Sequence, residues 1–126
     1  MKIVQVLIAL NFCHFLGDYT HLSTNWMLSA KRLGKPLFPI LVHALVHSIL
    51  MFTAVWIILD IYMAIVTFCI QLPTHFLIDV LKGRMNKWFP KLQDPSNKFF
   101  WYLFGFDQVM HALVIILTSY LACLYN

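Results

Sequence analysis

The sequence has few charged residues and no glutamate. Charged side chains make up 11% and hydrophobic side chains 61% of its 126 residues, whereas about one-quarter of the residues in a soluble domain are charged. This scarcity argues against a soluble domain and favours a membrane protein. Because every acidic residue is aspartate, the chain also lacks the Glu and Glu-x-x-His ligands of four-helix di-metal carboxylate proteins.

Cysteines are few, and adjacent histidines are absent. Cys13, Cys69 and Cys123 lie in apolar segments and are odd in number, which indicates small core side chains and not disulfides. Cys13 adjoins His14 but points about 100° away from it on a helix, so it is not a predicted ligand. The chain has no His-His dipeptide, which disfavours a redox di-iron enzyme of the membrane-desaturase type.

Long apolar runs are what the sequence has in abundance. Since a membrane-spanning helix needs about twenty apolar residues, they predict an all-α fold, a four-transmembrane-helix bundle in one domain over residues 1–126. The predicted helices cover residues 3–21, 37–59, 61–82 and 105–124. The first is interrupted by Gly17 and Asp18 and has little length to spare. A signal peptide is the alternative for this run, but no small-x-small cleavage site follows, so a retained helix is favoured.

Basic residues are concentrated in the first and third connections between these helices, and the net charge is +4. The positive-inside rule predicts a multi-pass protein with both connections in the cytoplasm and both termini outside. We expect the basic charge to contact membrane lipid, and nucleic acid is not an expected partner. The residues concerned are Lys31, Arg32 and Lys35 in the first connection and Lys82, Arg84, Lys87, Lys91 and Lys98 in the third.

Pairs of histidine and aspartate at a spacing of four recur in every apolar segment. Six histidines and five aspartates placed at random in 126 residues would give roughly one such pair. A spacing of four puts both side chains on one helix face, and the predicted topology puts all pairs at the same cytoplasmic depth. Ionisable residues inside a membrane face the bundle interior and mark functional sites. The pairs are His14 with Asp18, His43 with His47, His75 with Asp79, and Asp107 with His111.

These eight side chains predict a metal site. They are too many donors for one tetrahedral ion and suit one or two divalent ions. Zinc is favoured because imidazole and carboxylate donors without thiolate suit it, and iron, manganese and nickel are the alternatives. Hydrogen bonding between helices is the structural alternative. Ligand histidines need a second partner that fixes their tautomer, for which the candidates are Asn11, His21, Gln71 and Gln108.

Two further features concern a substrate. Lys82 follows Asp79 on the same helix face and is predicted to bind an anionic substrate group; snorkelling to headgroups is the alternative. Between the first two predicted helices, Trp26 to Leu28 precede Lys31 and Arg32, which predicts a short interfacial amphipathic helix over the site. Membrane anchoring is its favoured role, and a lid is the alternative.

These motifs resemble a bacterial and phage membrane family, the domain-of-unknown-function family 3307. Its pattern runs H-x-x-x-D-F-x-L-Q, W-M, H, H-x-x-x-D-x-x-K and D-Q-x-x-H, and the resemblance covers nearly the whole chain. The sequence differs from it at Tyr19, where the family has Phe, and at His21-Leu22, near the family's Leu-Gln. The resemblance implies a bacterial inner-membrane location but no particular activity. A more distant resemblance is to membrane-bound metal-dependent hydrolases, which also place His and Asp in short apolar helices.

The favoured hypothesis is a di-metal hydrolase acting on a lipid or lipid-linked ester or phosphoester at the cytoplasmic face. The metal would activate water, with Asp18 or Asp79 as the catalytic base and Lys82 holding the substrate. The alternatives are a divalent-metal binding or transport protein and a non-catalytic bundle with structural pairs. Transport is disfavoured because residues 49–59 and 113–117 contain almost no ligands.

Overall fold

The computed structural model describes residues 1–125 and confirms the all-α prediction. Within that part of the chain, all regular structure is helical. A single 3-10 turn, Pro90–Gln93, lies in the last connection. The α-helices are α1 (Lys2–Tyr19), α2 (Asn25–Leu33), α3 (Leu37–Ile58), α4 (Ile61–Trp88) and α5 (Lys98–Leu124).

Side-chain caps define where several helices begin. The Thr24 hydroxyl accepts a hydrogen bond from the Met27 amide at the start of α2. The Asp60 carboxylate does the same for Met63 at 2.9 Å, before α4, and Asn97 caps α5. Such caps satisfy amides that have no partner within the helix, so they define the starts of α2 and of α4 and α5, the last two of which carry predicted pairs.

Two helices are longer than the sequence predicted. α4 continues to Trp88 instead of ending at residue 82, and α5 begins at Lys98 instead of residue 105. In α4 the added residues include Arg84 and Lys87, which favour helix although they lie outside the apolar run. In α5 the added residues are mostly aromatic and begin after the Asn97 cap. α1 begins one residue earlier than predicted, at Lys2, and ends two residues earlier, at Tyr19.

Among the described residues, three helices are long and apolar enough to span a membrane: α3, α4 and α5. This supports a membrane protein. α1 is not one of the three, since its 18 residues include Gln5, Asn11, His14 and Asp18. The described residues thus contain three candidate spans, and the bundle of four membrane-spanning helices stays a prediction.

The helices pack so that one end of the bundle is apolar and the other polar. α4 packs against α3, α5 and α2, and α1 packs against α3 and α5. Val6, Leu10, Met51, Val55 and Ile115 are almost fully buried in the apolar core. They come from the start of α1 and the later parts of α3 and α5, so the end of α1 meets the start of α3 at the opposite end of the bundle.

Candidate metal centre

All four predicted pairs meet at the polar end of the bundle. Their donor atoms form three overlapping groups, and within each group the atoms lie within 4.8 Å of one another. Every one of the eight predicted ligands belongs to at least one group. The groups are Asp18 with His43, His47 and His75; His14 with His75 and His111; and Asp79 with Asp107 and His111.

Two aspartates connect the histidines of different helices. Oδ1 of Asp18 lies 3.0 Å from Nε2 of His43 and 3.2 Å from Nε2 of His47. Oδ1 of Asp79 lies 3.4 Å from Nε2 of His111, and its Oδ2 lies 3.3 Å from Nε2 of His75. The side chain of Asp79 has no exposed surface, so this carboxylate is the more deeply buried of the two.

Gly17 allows α1 to approach closely the eight donor side chains, which we call the donor cluster. The His47 ring lies directly against the backbone of α1, and a Cβ atom on residue 17 would lie 2.5 Å from its Nε2 atom. Non-bonded atoms cannot come so close. A glycine one residue before Asp18 therefore lets the imidazole of α3 and the carboxylate of α1 meet.

Many donor atoms in the cluster are buried with long contacts or with none. Among the described residues, Nδ1 of His14 and of His75 has no partner, and Nε2 of both rings and the oxygens of Asp79 have only contacts of 3.3 Å or more. The nearest contacts of His111, at 3.4 and 3.6 Å to Asp79 and Asp107, are longer than ordinary hydrogen bonds. Since buried polar atoms are normally paired, this convergence of nitrogen and oxygen donors fits a divalent cation.

Lys31 is a member of the site that the sequence did not predict. Its Nζ lies 3.0 Å from Nε2 of His43, 3.2 Å from Asp18 and 3.4 Å from Asp79. Burial opposes the charge of this ammonium, but the carboxylates of Asp79 and Asp18 outweigh it and raise the pKa of Lys31. The helical spacing of Met27, Ala30 and Lys31 on one face of α2 could have indicated that Lys31 faces the bundle, but not which side chains it contacts.

Lys82, the predicted substrate-binding residue, lies at the edge of the cluster. Its Nζ is 3.1 Å from Oδ2 of Asp107 and 5.1 Å from the centre of the Phe104 ring. Its side chain keeps 23% of its surface exposed. The ammonium can therefore contact both a donor carboxylate and a molecule that approaches the site.

The four predicted partners of the ligand histidines lie in different places. Gln108 donates a 3.0 Å hydrogen bond to Asp107, so it contacts the carboxylate of a predicted ligand and not a ligand histidine. Gln71 is buried and donates to Thr118 at 3.2 Å. Asn11 is exposed and donates to the Leu7 carbonyl, and His21 is exposed in the turn after α1. Within residues 1–125, Nδ1 has no partner in His14, His43, His47 or His75.

A cavity of about 290 Å³ adjoins the cluster. Asp18 and Asp107 line it together with three cationic side chains, Lys31, Arg32 and Lys82. Its remaining wall includes Leu28, Leu92, Phe100, Leu103 and Phe104. The cavity therefore combines access to two donor carboxylates with a positively charged and partly apolar lining.

Comparison with known proteins gives one match. Neither a curated protein nor a solved structure is significantly similar to the chain, so the more distant resemblance to membrane-bound hydrolases is not supported by a match. A family described as "Protein of unknown function (DUF3307)" matches residues 6–126, which is nearly the whole chain. The protein therefore belongs to the DUF3307 family.

Proposed function

We propose that this protein is a metal-dependent hydrolase of the bacterial inner membrane, acting on a lipid or lipid-linked ester or phosphoester at the cytoplasmic face. One observation carries the proposal: eight His and Asp donors, seven of them buried and Asp18 partly buried, lie beside a cavity lined by three cationic side chains. A buried donor cluster suits a metal ion, and a cationic cavity suits an anionic substrate. Their adjacency supports chemistry on a molecule bound between them.

In the proposed topology, α1, α3, α4 and α5 cross the membrane and α2 lies at the cytoplasmic interface. Trp26 and Leu28 of α2 are exposed, which suits contact with the headgroup region. The basic residues of α2 and of the segment before α5 lie at the same end of the bundle as the donor cluster. The positive-inside rule then favours the cytoplasmic side for both.

The donor set would hold one or two divalent ions, with zinc favoured, and bound ions would supply an activated water and an electrophile for the scissile group. Asp18 is the better candidate for the catalytic base. It lines the cavity and keeps 8% of its side-chain surface exposed, whereas Asp79 keeps none. A base must reach the proton that it accepts, so Asp79 is better placed to hold metal than to act on substrate.

Lys31 and Lys82 would hold the anionic part of the substrate. Their ammonium groups contact Asp18 and Asp107, the two donor carboxylates that line the cavity. A bound phosphate or carboxylate would therefore lie within reach of both the lysines and the donor cluster. Fixed cations beside a reacting group stabilise the negative charge that develops on it.

Packing favours this function over its rivals. The half of the bundle away from the cluster holds apolar side chains such as Leu10, Met51 and Val55 with no exposed surface. Its buried polar side chains, Thr67, Thr118 and Ser119, carry hydroxyl groups and neither imidazole nor carboxylate, which disfavours a metal route across the membrane. A purely structural role for the pairs would be expected to leave their polar atoms hydrogen-bonded to one another. Instead, Nδ1 of His14, His43, His47 and His75 has no hydrogen-bond partner in the described chain, and the contacts of Asp79 with His75 and His111 are 3.3 and 3.4 Å long.

The proposal is tested by metal content and lipid hydrolysis in the purified protein. We expect one or two zinc ions per chain, with hydrolysis of a component of a bacterial lipid extract that a chelator abolishes and zinc restores. His75→Ala should lose metal and activity. His21→Ala is the matched control, because His21 is exposed, and it should keep both.

Two results would contradict the proposal. The absence of divalent metal from protein purified without chelators would show that the donor cluster is not a metal site. If the protein contains metal that the His75→Ala variant loses, but hydrolyses no lipid ester or phosphoester, it is a metal-binding protein and not a hydrolase.

A further inference from the structure

A second cavity lies between α4 and α5. Its volume is about 170 Å³, and its polar members are Lys82 and Asp107. On each helix the lining residues follow steps of three and four, so they form one face. The apolar lining consists of Ile78, Leu81 and Met85 from α4 and Leu103, Phe106 and Met110 from α5.

This groove opens on the outer surface of the bundle. Leu81 and Phe106 at its rim are 59% and 61% exposed, whereas Leu103 is buried. In the proposed topology, the outer surface of α4 and α5 faces the bilayer. A hydrocarbon chain could therefore enter the groove from the membrane without crossing water, where its exposure would be unfavourable.

The groove and the basic cavity meet at the edge of the donor cluster. Lys82, Leu103 and Asp107 line both spaces. The Lys82 ammonium, which contacts Asp107, therefore lies at the junction between an apolar groove and a cationic cavity. This arrangement matches an amphiphile with an apolar chain and an anionic head. The chain would lie in the apolar groove and the head in the cationic cavity.

The cationic side chains of the basic cavity indicate the chemistry of the headgroup. Arg32 presents a planar fork of donors that suits phosphate oxygens, and Lys31 and Lys82 add two ammonium groups. Asp18 and Asp107 also line the cavity and offset two of these charges, which leaves three cations against two carboxylates. Divalent ions held by the donor cluster would make the cavity more positive and repel an amine on the lipid headgroup. The lining thus favours a phosphate headgroup without an amine over a zwitterionic headgroup.

We propose that the substrate is an anionic phospholipid whose phosphate lies in the basic cavity and one of whose hydrocarbon chains lies in the α4–α5 groove. This inference rests on the proposed function, for which it names the substrate class and the route from the membrane. It places the bonds around the phosphate beside Asp18 and Asp107, and it leaves the end of the chain in the bilayer.

The first test maps lipid contacts in the metal-containing protein in phosphatidylcholine nanodiscs. A trace of phosphatidic acid with a photoreactive diazirine on one acyl chain is added, and labelled residues are identified by mass spectrometry. Labelling of Met85, Phe106 and Met110 should exceed labelling of Leu77 and Val109 by about tenfold. Leu77 and Val109 are exposed on the same two helices but lie outside the groove. A phosphatidylcholine probe with the same diazirine should label both sets equally.

The second test fills the groove. Met110→Trp should weaken the binding of dioctanoyl phosphatidic acid about tenfold and leave the binding of inorganic phosphate unchanged, because only the chain site is blocked. Val109→Trp is the control, since residue 109 adjoins residue 110 but points away from the groove, and it should change neither affinity. Lys82→Met should weaken the binding of both ligands.

Equal labelling of groove and control residues by the phosphatidic acid probe would overturn the inference, since it would show ordinary bilayer contact. Equal effects of the two tryptophan variants would also overturn it. Hydrolysis of a lipid extract is measured in the same preparations. Hydrolysis without groove labelling would overturn only the lipid route, whereas groove labelling without hydrolysis of any lipid would overturn only the proposed hydrolase.

Discussion

Asp18 and Asp79 each face histidines and the same ammonium group. Lys31 contacts both carboxylates, and their histidine neighbours come from other helices as well as their own. An unpaired charge in a protein interior costs several kcal/mol. Lys31 carries one positive charge and therefore offsets only one of these two negative charges. Neutral histidines cannot balance the other, which would suit a bound divalent cation.

At the residue scale, Gly17 gives the sharpest test of the cluster geometry. Gly17→Ala would place a methyl group 2.5 Å from Nε2 of His47 and push the imidazole away from Asp18. We expect zinc affinity to fall about 10-fold to 100-fold, as when the support of a ligand is lost. Competition with a chromophoric chelator would measure this change.

Gly105→Ala is the matched control for this substitution. Gly105 also lies in an α-helix, but a Cβ atom there would meet nothing within 4 Å. Both changes replace glycine with alanine, which should stabilise a helix by roughly 1 kcal/mol, so helix propensity cannot explain a difference in zinc affinity between the two variants. Equal zinc affinity in the two variants would contradict the close packing of His47 against α1.

At the scale of elements, the position of Lys31 depends on a glycine contact between α2 and α4. α2 ends at Leu33 and is capped by Gly34, which has a left-handed φ of 65°. A Cβ atom on Gly83 would collide with the backbone of Gly34 and would lie 2.5 Å from the Lys31 carbonyl oxygen. Asn86 adds a hydrogen bond to the Arg32 carbonyl at 3.1 Å. The two helices thus touch backbone to backbone one turn from the cluster.

Gly83→Ala should loosen α2 from α4. Trypsin cuts after lysine and arginine and needs a locally opened backbone, so cleavage after Lys31 and Arg32 should become about tenfold faster. Gel analysis with mass identification of the fragments would measure the rate. Gly105→Ala should cleave like the unmodified protein, and unchanged cleavage in Gly83→Ala would show that this contact does not hold α2.

At the scale of the whole molecule, the bundle separates its polar and apolar ends. The donor cluster and the basic residues lie at one end, and the apolar core lies at the other. α1 contributes to both through Leu10 and Asp18, although it is not one of the three helices that meet the criteria for a span. Packing against α3 and α5 supports its place in the bundle.

Cysteine labelling in sealed inverted membrane vesicles should establish the topology. In a background with Cys13, Cys69 and Cys123 changed to alanine, Ser29→Cys and Ser96→Cys should react with an impermeant maleimide before the vesicles are opened. Lys2→Cys and Tyr62→Cys should react only afterwards. If Lys2→Cys is instead labelled before the vesicles are opened, as Ser29→Cys and Ser96→Cys are, α1 does not cross the membrane and the four-span topology is wrong.

Much of the site could be predicted because its geometry is local to each helix. The pairs at a spacing of four lie on single helix faces whatever the tertiary structure, and all eight donors do come together. The partners Asn11 and Gln71 could not be placed in the same way. A polar residue near a ligand on the same helix can face outward, as Asn11 does, or contact another helix, as Gln71 does through Thr118.

The sequence by itself determined the helical fold, the apolar spans and the four faces that carry histidine and aspartate, since each follows from composition or from the helical period. Only the tertiary structure decided that Lys31 lies among the predicted ligands, that Gly17 and Gly83 permit the close contacts, and that a groove joins the basic cavity to the outer surface of the bundle. The physical reason is distance along the chain. Lys31 is separated from Asp79 by 48 positions in the sequence, while their charged atoms lie 3.4 Å apart, and no local pattern encodes such a contact.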